Sequence, residues 1–418
     1  MAGLIKKLKK KLGERGVVGT AAFAARSLVN TASRPAAERL FRRLPVDPEK
    51  MFFVSLPSYS DNAKILYQYI RKKDPKPGRT YVWYLEPEAP MPRTIPEDTK
   101  FLRRTSRNMP LRVLRELLTS RYVFFTHGGP IKGVPKRDGQ TFVNLWHGCG
   151  YKAANATEPY TKMNPFDLAL VPGPVFVETK TAYWGCPKEA ILPIGYPRYD
   201  LLLRGGKRAA AFAKELRGNA DKLIFWMPTF RNTKNEKYAE GKLGRSYDLP
   251  LLNSEKELTA LDRCLAEKNL RLVIKRHPMQ LKYSSEGKGL ENIRFLGNED
   301  LEKAGVELYA LLHEADALVS DYSSVSVDFL LLDRTMAFAL DDFEAYKAAR
   351  GFVFEDPLSY MPGHHLYNLG DFCEFLTNVA SGRDPFAGER AEVLPKMHNI
   401  CQNYTKRIYE TIRKESEG

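Results

Sequence analysis

The chain has 418 residues, of which 43% are hydrophobic, and its formal net charge at pH 7 is +15. This hydrophobic content excludes a disordered chain, and the length favours two domains with extensions over a single core. No apolar stretch reaches about 18 to 20 residues, so the sequence predicts no transmembrane helix. The five cysteines form no Cys-x-x-Cys pair, which argues against a disulfide scaffold or a cysteine zinc site and fits a reducing cytoplasm.

The N-terminal segment, residues 1–48, is strongly basic. Its first 43 residues hold eleven lysines and arginines against two glutamates, a net charge of +9. Four apolar residues share one helical face: Leu4, Ile5, Leu8 and Leu12. We expect this amphipathic helix to end at Gly13 and a second helix to run over 35–43.

We interpret 1–48 as an extension that binds an anionic membrane surface on the cytoplasmic face of the cell membrane. The alternatives are a solvated basic tail and, less favoured, a secretory signal peptide, whose apolar core Arg26 would interrupt. Nucleic acid is not an expected partner, because the charge lies in the tail and no nucleic-acid-binding motif is present.

From Met51 onward, strand-like apolar runs alternate with helical runs, such as a helix over 61–71. The predicted strands are 52–54, 81–84, 122–125, 142–145, 168–171, 191–194, 223–227, 271–274, 293–295, 317–319 and 336–339. This alternation predicts an α/β fold with doubly wound parallel sheets. We expect two Rossmann-like domains, 49–204 and 223–390, joined by a linker over 205–222. A C-terminal helix over 391–414, within the segment 391–418, could cross back to the first domain.

The most informative segment is the run Ser-Asp-Tyr-Ser-Ser at 320–324. It follows the predicted strand 317–319 and precedes a mostly apolar run, 325–332, that is typical of a helix. The first N–H groups of a helix lack partners, and the helix dipole favours negative charge there. The segment therefore predicts a phosphate or pyrophosphate site, with simple helix capping as the alternative.

Three other polar clusters also follow predicted strands. They are Trp-His-Gly at 146–148 with Lys152, Pro-Thr-Phe-Arg at 228–231, and Lys-Arg-His-Pro at 275–278. In open α/β sheets, ligands bind at the carboxyl ends of the strands. Four such clusters indicate one crevice that binds a phosphorylated ligand.

These clusters, in this order, resemble the CDP-glycerol glycerophosphotransferases of teichoic acid synthesis. The matching segments are 144–148 with Lys152, 195–198 with Asp200, 228–231, Lys275 with His277 and Pro278, and 320–324 with Asp328; weaker matches lie at 60–62, 350–352 and 362–363. The resemblance covers residues 50 to 400 approximately. It implies the GT-B architecture, in which two Rossmann-like domains face one cleft.

The resemblance also implies roles for single residues. His147 is the implied general base, since histidine can accept a proton from a hydroxyl near neutral pH. His277 would contact the donor diphosphate or assist its departure, and Arg231 has a planar charged fork suited to phosphate oxygens. The alternatives are that His147 is a structural histidine beside Trp146, and that His277 and Pro278 only end a strand.

Donor phosphate binding is assigned to further residues of the second domain: Thr229, Ser320, Asp321, Ser323 and Ser324. Asp321 is expected to orient its loop rather than bind metal. Asp328 either reaches back to this loop or only interrupts an apolar helix.

Four residues of the first domain are assigned to the acceptor side or to support of the histidine segment: Lys152, Arg198, Asp61 and Asn62. Surface charge is the alternative for Lys152 and Arg198. No Asp-x-Asp pair follows a strand at the donor position, so we expect no metal and no cofactor. CDP-glycerol, or a related CDP-alditol, enters only as the donor substrate.

The expected reaction is transfer of glycerol phosphate, or a related alditol phosphate, to a hydroxyl of a polyprenyl-linked saccharide or poly(alditol phosphate), with release of CMP. The chain lacks the large N-terminal part of some polymerases, which favours a primase or limited transfer over a polymerase. The alternatives are a GT-B glycosyltransferase that uses a nucleotide sugar and a non-catalytic, membrane-bound scaffold. The sequence leaves the alditol, the chain length and the oligomeric state open.

Overall fold

The computed structural model describes residues 2–92, 94–106, 108–153, 166–229, 249–275 and 289–417. Within these ranges the strands form two sheets. The first sheet contains β1 (Asp47–Val54), β2 (Thr80–Leu85), β3 (Thr99–Arg103), β4 (Ser120–Phe125), β5 (Thr141–Asn144), β6 (Leu168–Leu170) and β7 (Ile191–Leu192). The second sheet contains β8 (Lys222–Trp226), β9 (Leu270–Lys275), β10 (Ile293–Leu296), β11 (Ala317–Ser320), β12 (Thr335–Ala339) and β13 (His364–Leu366).

All neighbouring strands are parallel, and the order in both sheets reverses beside the first strand of each. The first sheet has the order β3-β2-β1-β4-β5-β6-β7, and the second has the order β10-β9-β8-β11-β12-β13. The order therefore reverses between β1 and β4 and between β8 and β11. Ligands of open parallel sheets bind at the carboxyl ends of strands at such reversals, so the topology points to the loops that follow these four strands.

Helices lie between the strands and at both termini. The α-helices of the described residues are α1 (Ala2–Phe41), α2 (Asp61–Lys73), α3 (Leu111–Leu118), α4 (Val175–Trp184), α5 (Tyr199–Arg204), α6 (Lys207–Arg217), α7 (Glu255–Glu267), α8 (Asn298–Ala304), α9 (Leu308–Leu312), α10 (Ser324–Phe329), α11 (Phe343–Arg350), α12 (Leu369–Ser381), α13 (Ala387–Met397) and α14 (Tyr404–Glu417). Short 3₁₀ turns occupy Gly129–Ile131, Lys188–Ala190, Leu330–Leu332 and Leu358–Tyr360.

The central strands are buried on both faces, which explains their nearly continuous apolar sequences. In β1, Phe52 packs in a cluster with Val113 of α3, whereas Phe53 packs with Tyr67 of α2 and Trp83 of β2 on the opposite face. Successive side chains of a strand point to opposite faces, so β1 contributes to two apolar layers. This double burial fixes the end of β1 at the cleft.

The N-terminal helix differs from its prediction. The backbone leaves helical geometry at Gly16, where φ is 66° and ψ is 173°, and not at Gly13. The prediction of a separate helix over 35–43 is wrong, because Pro35 lies inside α1. A contact with the segment after β3 supports α1 before Pro35, because the side chain of Asn30 donates to the Ser106 hydroxyl at 2.7 Å. Among the described residues, no helix combines the length and apolar character needed to cross a membrane.

The C-terminal segment forms two helices, α13 and α14, instead of the single predicted helix over 391–414. His398 ends α13 in an extended conformation, with φ −133° and ψ 143°, and turns its ring to the carbonyl oxygen of Val327 at 2.7 Å. After this break, α14 runs against the first sheet's layer, where the Tyr409 hydroxyl donates to Asp74 at 2.5 Å.

Two edge strands, β3 and β13, were not predicted. β3 contains two basic residues in five, and β13 is only three residues long with two histidines. An edge strand with one exposed side does not need a continuous apolar run, so the apolar pattern misses such strands.

Candidate active site

Two loops meet between the sheets: the histidine loop (146–150) after β5 and the serine loop (320–324) at the end of β11. A Cβ placed on Gly148 would lie 2.5 Å from the Ser324 hydroxyl oxygen, and one on Gly150 would lie 3.0 Å from the Ser324 backbone nitrogen. Gly148 also has a φ of 131°, which strains any residue with a side chain. These glycines let the two loops approach closely, so the carboxyl ends of the two sheets form one site.

His147 has an open ring edge and a proton-accepting nitrogen. The residue is exposed at the cleft, while Nδ1 lies 3.2 Å from the carbonyl oxygen of Thr126. Because a carbonyl oxygen only accepts, we assign the ring proton to Nδ1, which leaves a lone pair on Nε2. Protein surrounds the remainder of the ring, and this burial, reinforced by neighbouring His127, lowers the pKa of His147 well below 6.5. His147 is therefore neutral at pH 7 and suited to accept a proton.

A second histidine, His127, stacks on His147 and forms the histidine pair with it. The ring centroids are 4.1 Å apart and the planes differ by 12°. The Thr126 hydroxyl lies 3.0 Å from Nδ1 of His127, so the same threonine contacts both rings. Burial lowers the pKa of His127 to about 4. His127 is not among the residues predicted from the sequence, although its position two residues after the end of β4 was an available signal.

Hydrogen bonds with the side chains of Asn62 and Asn144 hold the histidine loop. The side-chain nitrogen of Asn62 donates to the carbonyl oxygens of Leu145 and Trp146 at 3.3 and 3.0 Å. The Trp146 backbone N–H donates to the Asn144 side chain at 3.0 Å. The φ angle of Trp146 is 50°. A positive φ is unfavourable for an aromatic residue, so these bonds stabilise a strained turn that presents His147.

Beside this loop lies a charge cluster formed by Asp61, Arg198 and Asp328. One terminal nitrogen of Arg198 donates to Asp61 at 3.0 Å and to the His147 carbonyl oxygen at 3.0 Å, and the other donates to Asp328 at 2.6 Å. Arg198 is 2% exposed. Burial alone lowers the pKa of an arginine, but Asp328 and Asp61 raise the pKa of Arg198 above its ordinary value. The cluster therefore contains a permanently charged guanidinium that positions the histidine loop.

The structure changes the interpretation of Asp328. Its buried carboxylate pairs with Arg198 and accepts hydrogen bonds from Tyr199 and Tyr309, both at 2.5 Å. These contacts correct both predictions, a return to the serine loop and a mere interruption of an apolar helix. Asp328 instead connects α10, which follows the second sheet's β11, to Arg198, which follows the first sheet's β7.

On the side of the second sheet, Asp321 holds the loop after β8. Its carboxylate accepts from the Thr229 backbone N–H at 2.8 Å and from the Thr229 hydroxyl at 2.6 Å. The Ser320 hydroxyl lies 3.3 Å from the Met227 carbonyl oxygen. Ser323 begins α10 without a side-chain capping bond, and Ser323 and Ser324 are only half-buried. Capping therefore does not account for Ser323.

Comparison with known proteins now identifies the family. The sequence model of the CDP-glycerol:poly(glycerophosphate) glycerophosphotransferases matches residues 36–414. This chain belongs to that family. The resemblance predicted from the sequence motifs is thus confirmed.

Teichoic acid enzymes are among its similar proteins. The chain is 28% identical over 267 residues to the teichoic acid ribitol-phosphate primase of Bacillus spizizenii, covering 60% of this chain and 63% of the primase. It is 26% identical over 345 residues to the teichoic acid poly(glycerol phosphate) polymerase of Staphylococcus epidermidis, covering 76% of this chain and 44% of the polymerase. The chain thus spans between 44% and 63% of the length of these two relatives.

The fold of this family member matches solved structures. The wall teichoic acid polymerase TagF superposes with a TM-score of 0.70 at 20% identity, over 96% of this chain and 98% of the TagF chain. A UDP-N-acetylglucosamine 2-epimerase from Listeria monocytogenes superposes with a TM-score of 0.51 at 12% identity, over 89% of this chain and 97% of that chain. The predicted α/β GT-B fold class is confirmed, whereas the membrane-binding role of the N-terminal extension stays a prediction.

The remaining predicted site residues of this family member fall into two groups. Lys152 forms an antiparallel bridge with Phe352. This bridge brings 350–352, one of the segments with a weaker match to the family, against the chain that follows the histidine loop. Arg231 and His277 lie outside the described residues, so their roles stay predictions. Within the described residues, no group of three or more histidine, cysteine, aspartate or glutamate side chains has the arrangement of a metal site.

Proposed function

We propose that this family member transfers an alditol phosphate from CDP-glycerol, or a related CDP-alditol, to an acceptor hydroxyl and releases CMP. Family membership supports the reaction class. The observation that carries the assignment of the base is the neutral imidazole of His147, with its Nε2 lone pair at the cleft. The acceptor we propose is a polyprenyl-linked saccharide or a poly(alditol phosphate), since the similar proteins include a primase and a polymerase.

In the proposed step, Nε2 of His147 takes the proton of the acceptor hydroxyl. The hydroxyl oxygen forms a bond to the β-phosphorus of the donor while the bond from that phosphorus to the bridging oxygen breaks. CMP leaves with the bridging oxygen and its electron pair. General base catalysis of this kind contributes about 10²–10⁴-fold to the rate.

We assign the donor to the side of the serine loop. Ser323 and Ser324 present half-buried hydroxyls where the two loops meet, which supports contact with the donor phosphates. Arg231 and His277 would complete the phosphate site and stabilise the leaving CMP. Thr229, Ser320 and Asp321 hold the loops in place. In this assignment protein side chains neutralise the phosphate charge, without a metal or cofactor.

We also propose that α1 binds an anionic membrane surface on the cytoplasmic face of the cell membrane. Val17, Val18, Leu28 and Val29 are exposed by 63% to 83%. Residues eleven apart on a helix lie close to one face, so these two pairs form one apolar stripe. Apolar residues on a basic segment support interfacial binding near a lipid-linked acceptor.

The experiment that tests this function measures the nucleotide that is released, which is CMP from a CDP-alditol and UDP from a UDP-sugar. Purified protein receives CDP-glycerol, CDP-ribitol or a UDP-sugar, each with and without a short-chain lipid disaccharide acceptor. We expect CMP release that depends on the acceptor from one CDP-alditol, and a loss of about 10²-fold or more in His147→Ala. The mass of the product distinguishes one added unit from many.

His365→Ala is the matched control, because His365 lies in the edge strand β13, which β12 separates from β11 and its serine loop. It should retain turnover. A folded His147→Ala protein with full turnover would show that His147 is not the base. Acceptor-dependent turnover of the UDP-sugar, with none of either CDP-alditol, would contradict the proposed reaction.

A further inference from the structure

Lys180 of α4 lies over an aromatic wall beside the histidine pair. Its ammonium nitrogen is 5.1 Å from the ring centroid of Trp146, 4.6 Å from that of Tyr183 and 5.5 Å from that of Trp184. The Trp146 ring is in turn 4.0 Å from the ring of His147, between centroids. The lysine therefore places a positive charge close to the imidazole that we assign as the base.

No acidic side chain among the described residues pairs with Lys180. Glu178, the acidic residue of α4, pairs with Lys188 instead. Contact with aromatic ring faces is weak at exposed sites, so the ammonium group keeps most of its capacity to bind an anion. The half-buried lysine stem covers the indole rings of Trp146 and Trp184, which are 7% and 5% exposed. The wall thus holds the charge at a defined place without neutralising it.

Arg198, a second cation that contacts the histidine loop, does not have this capacity. Arg198 is 2% exposed, and its donors are directed to Asp61, Asp328 and the His147 carbonyl oxygen. It is thus committed to the protein itself. An anion that approaches the open edge of His147 from the side of Trp146 would instead meet Lys180.

We propose that Lys180 binds a phosphate group of the acceptor and thereby places the acceptor hydroxyl at His147. This inference rests on the proposed function, in which the acceptor is a lipid-linked saccharide or an alditol phosphate chain. Two parts of such an acceptor supply the same phosphate ester chemistry. One is the diphosphate that carries the saccharide, and the other is the phosphodiester of an alditol phosphate unit already attached.

The test compares the full-length protein with Lys180→Met, Lys180→Arg and a control, Lys188→Met. Methionine retains an unbranched apolar stem over the indole rings and removes only the charge, whereas arginine retains the charge. Lys188→Met removes an equal charge from an exposed lysine whose partner is Glu178. Three saccharide acceptors are offered: one that ends in a glycerol phosphate unit, one carried on a diphosphate alone, and one without phosphate.

Acceptor binding is followed by tryptophan fluorescence, and turnover by CMP release at pH 8, where His147 is neutral in every variant. We expect Lys180→Met to raise Kd and KM about tenfold for a phosphorylated acceptor, because a charge-assisted hydrogen bond is lost. Its kcat, the KM for the CDP-alditol and binding of the phosphate-free acceptor should not change. Lys180→Arg should restore most of the affinity, and Lys188→Met should behave as the unmodified protein. The phosphorylated acceptor that responds identifies the source of the phosphate.

Binding and turnover separate the two proposals. Phosphorylated acceptors that bind through Lys180 without CMP release would support this inference and contradict the proposed function. Normal turnover with equal Kd in Lys180→Met would overturn this inference alone. A rise in Kd that is equal for the phosphate-free acceptor would also overturn it, because Lys180 would then only shape the aromatic wall.

Discussion

The histidine pair and the charge cluster lie side by side, yet they differ in charge and in access to solvent. His127 and His147 stack as uncharged rings at the cleft, and both have lowered pKa values. Arg198 and Asp328 are ionic and almost fully buried, at 2% and 0% exposure. The first region is open to a substrate and suited to move a proton, whereas the second is closed and suited to maintain a position.

Arg198 links the two regions, because the same terminal nitrogen that contacts Asp61 also donates to the carbonyl oxygen of His147. A change in the charge cluster should therefore affect both stability and the placement of His147. A change in the histidine pair should affect proton transfer and leave folding largely intact. This difference can be tested with single substitutions.

The largest effect on stability is expected from Asp328→Asn. Among the described residues, this variant leaves the buried guanidinium of Arg198 with the partly exposed Asp61 as its one acidic partner. Removing one partner of a buried ion pair typically costs 3–5 kcal/mol, so we expect the free energy of unfolding to fall by about 4 kcal/mol. Denaturant unfolding measures this loss, and CMP release should fall with it because the histidine loop loses an anchor.

Glu307→Gln is the matched control for that prediction. Glu307 pairs with Lys64 at 2.5 Å and also connects the two parts of the chain, but its side chain is 40% exposed. Exposed ion pairs contribute less than about 1 kcal/mol. Equal losses in Asp328→Asn and Glu307→Gln would show that burial does not distinguish the charge cluster from an ordinary surface pair.

The sequence predicted the loops of the site better than their connections. Each predicted cluster within the described residues follows a strand, and the carboxyl ends of parallel strands meet at one edge, so the sequence indicated a common crevice. The contact of Asp328 with Arg198 joins residues 130 apart in the chain. Periodicity and capping rules describe neighbours within a few residues, and they carry no information on which distant ion pairs form.

The ends of helices were also difficult to predict, for a related reason. Gly13 is a local signal for a helix end and Pro35 for a helix start, yet the helical backbone continues to Gly16, and α1 runs through Pro35 while Asn30 contacts Ser106. The sequence 391–414 contains a local break signal at Pro395, yet α13 continues past it to Met397 and ends at His398, whose ring bonds to Val327. In both cases a tertiary contact overrides the local preference of the backbone.

A smaller effect on stability, visible only on acidification, is expected from His398. Its Nε2–H donates to the Val327 carbonyl oxygen at 2.7 Å, its Nδ1 has no partner among the described residues, and burial lowers its pKa from 6.5 to about 4. As pH falls below 6.5, the unfolded chain takes up a proton that the folded chain does not, so stability decreases until pH reaches about 4. This shift is worth about 3 kcal/mol.

The measurement is the difference in unfolding free energy between pH 7 and pH 4, for the unmodified protein and for His398→Asn. The variant should lose about 3 kcal/mol less over this range, whatever its stability at pH 7. Asp328 faces this ring and attenuates the effect, since its carboxylate favours a protonated imidazole. If acidification destabilised both proteins equally, the buried region would not hold His398 in the neutral form.

The smallest effect concerns the histidine pair, where His127→Ala should alter the pH dependence of catalysis and not the stability. Loss of the stacked ring admits water to His147, whose pKa then rises towards 6.5 because burial is the main cause of its depression. Lys180 and Arg198 also face this ring and keep their effect in the variant. We expect the acid limb of kcat/KM to move up by about one pH unit, which corresponds to about 1.4 kcal/mol.

His127→Phe retains a stacked apolar ring and should keep most of the original profile. If alanine left the acid limb in place, stacking would not control the protonation of the base, and the contrast with the charge cluster would then rest on solvent access alone.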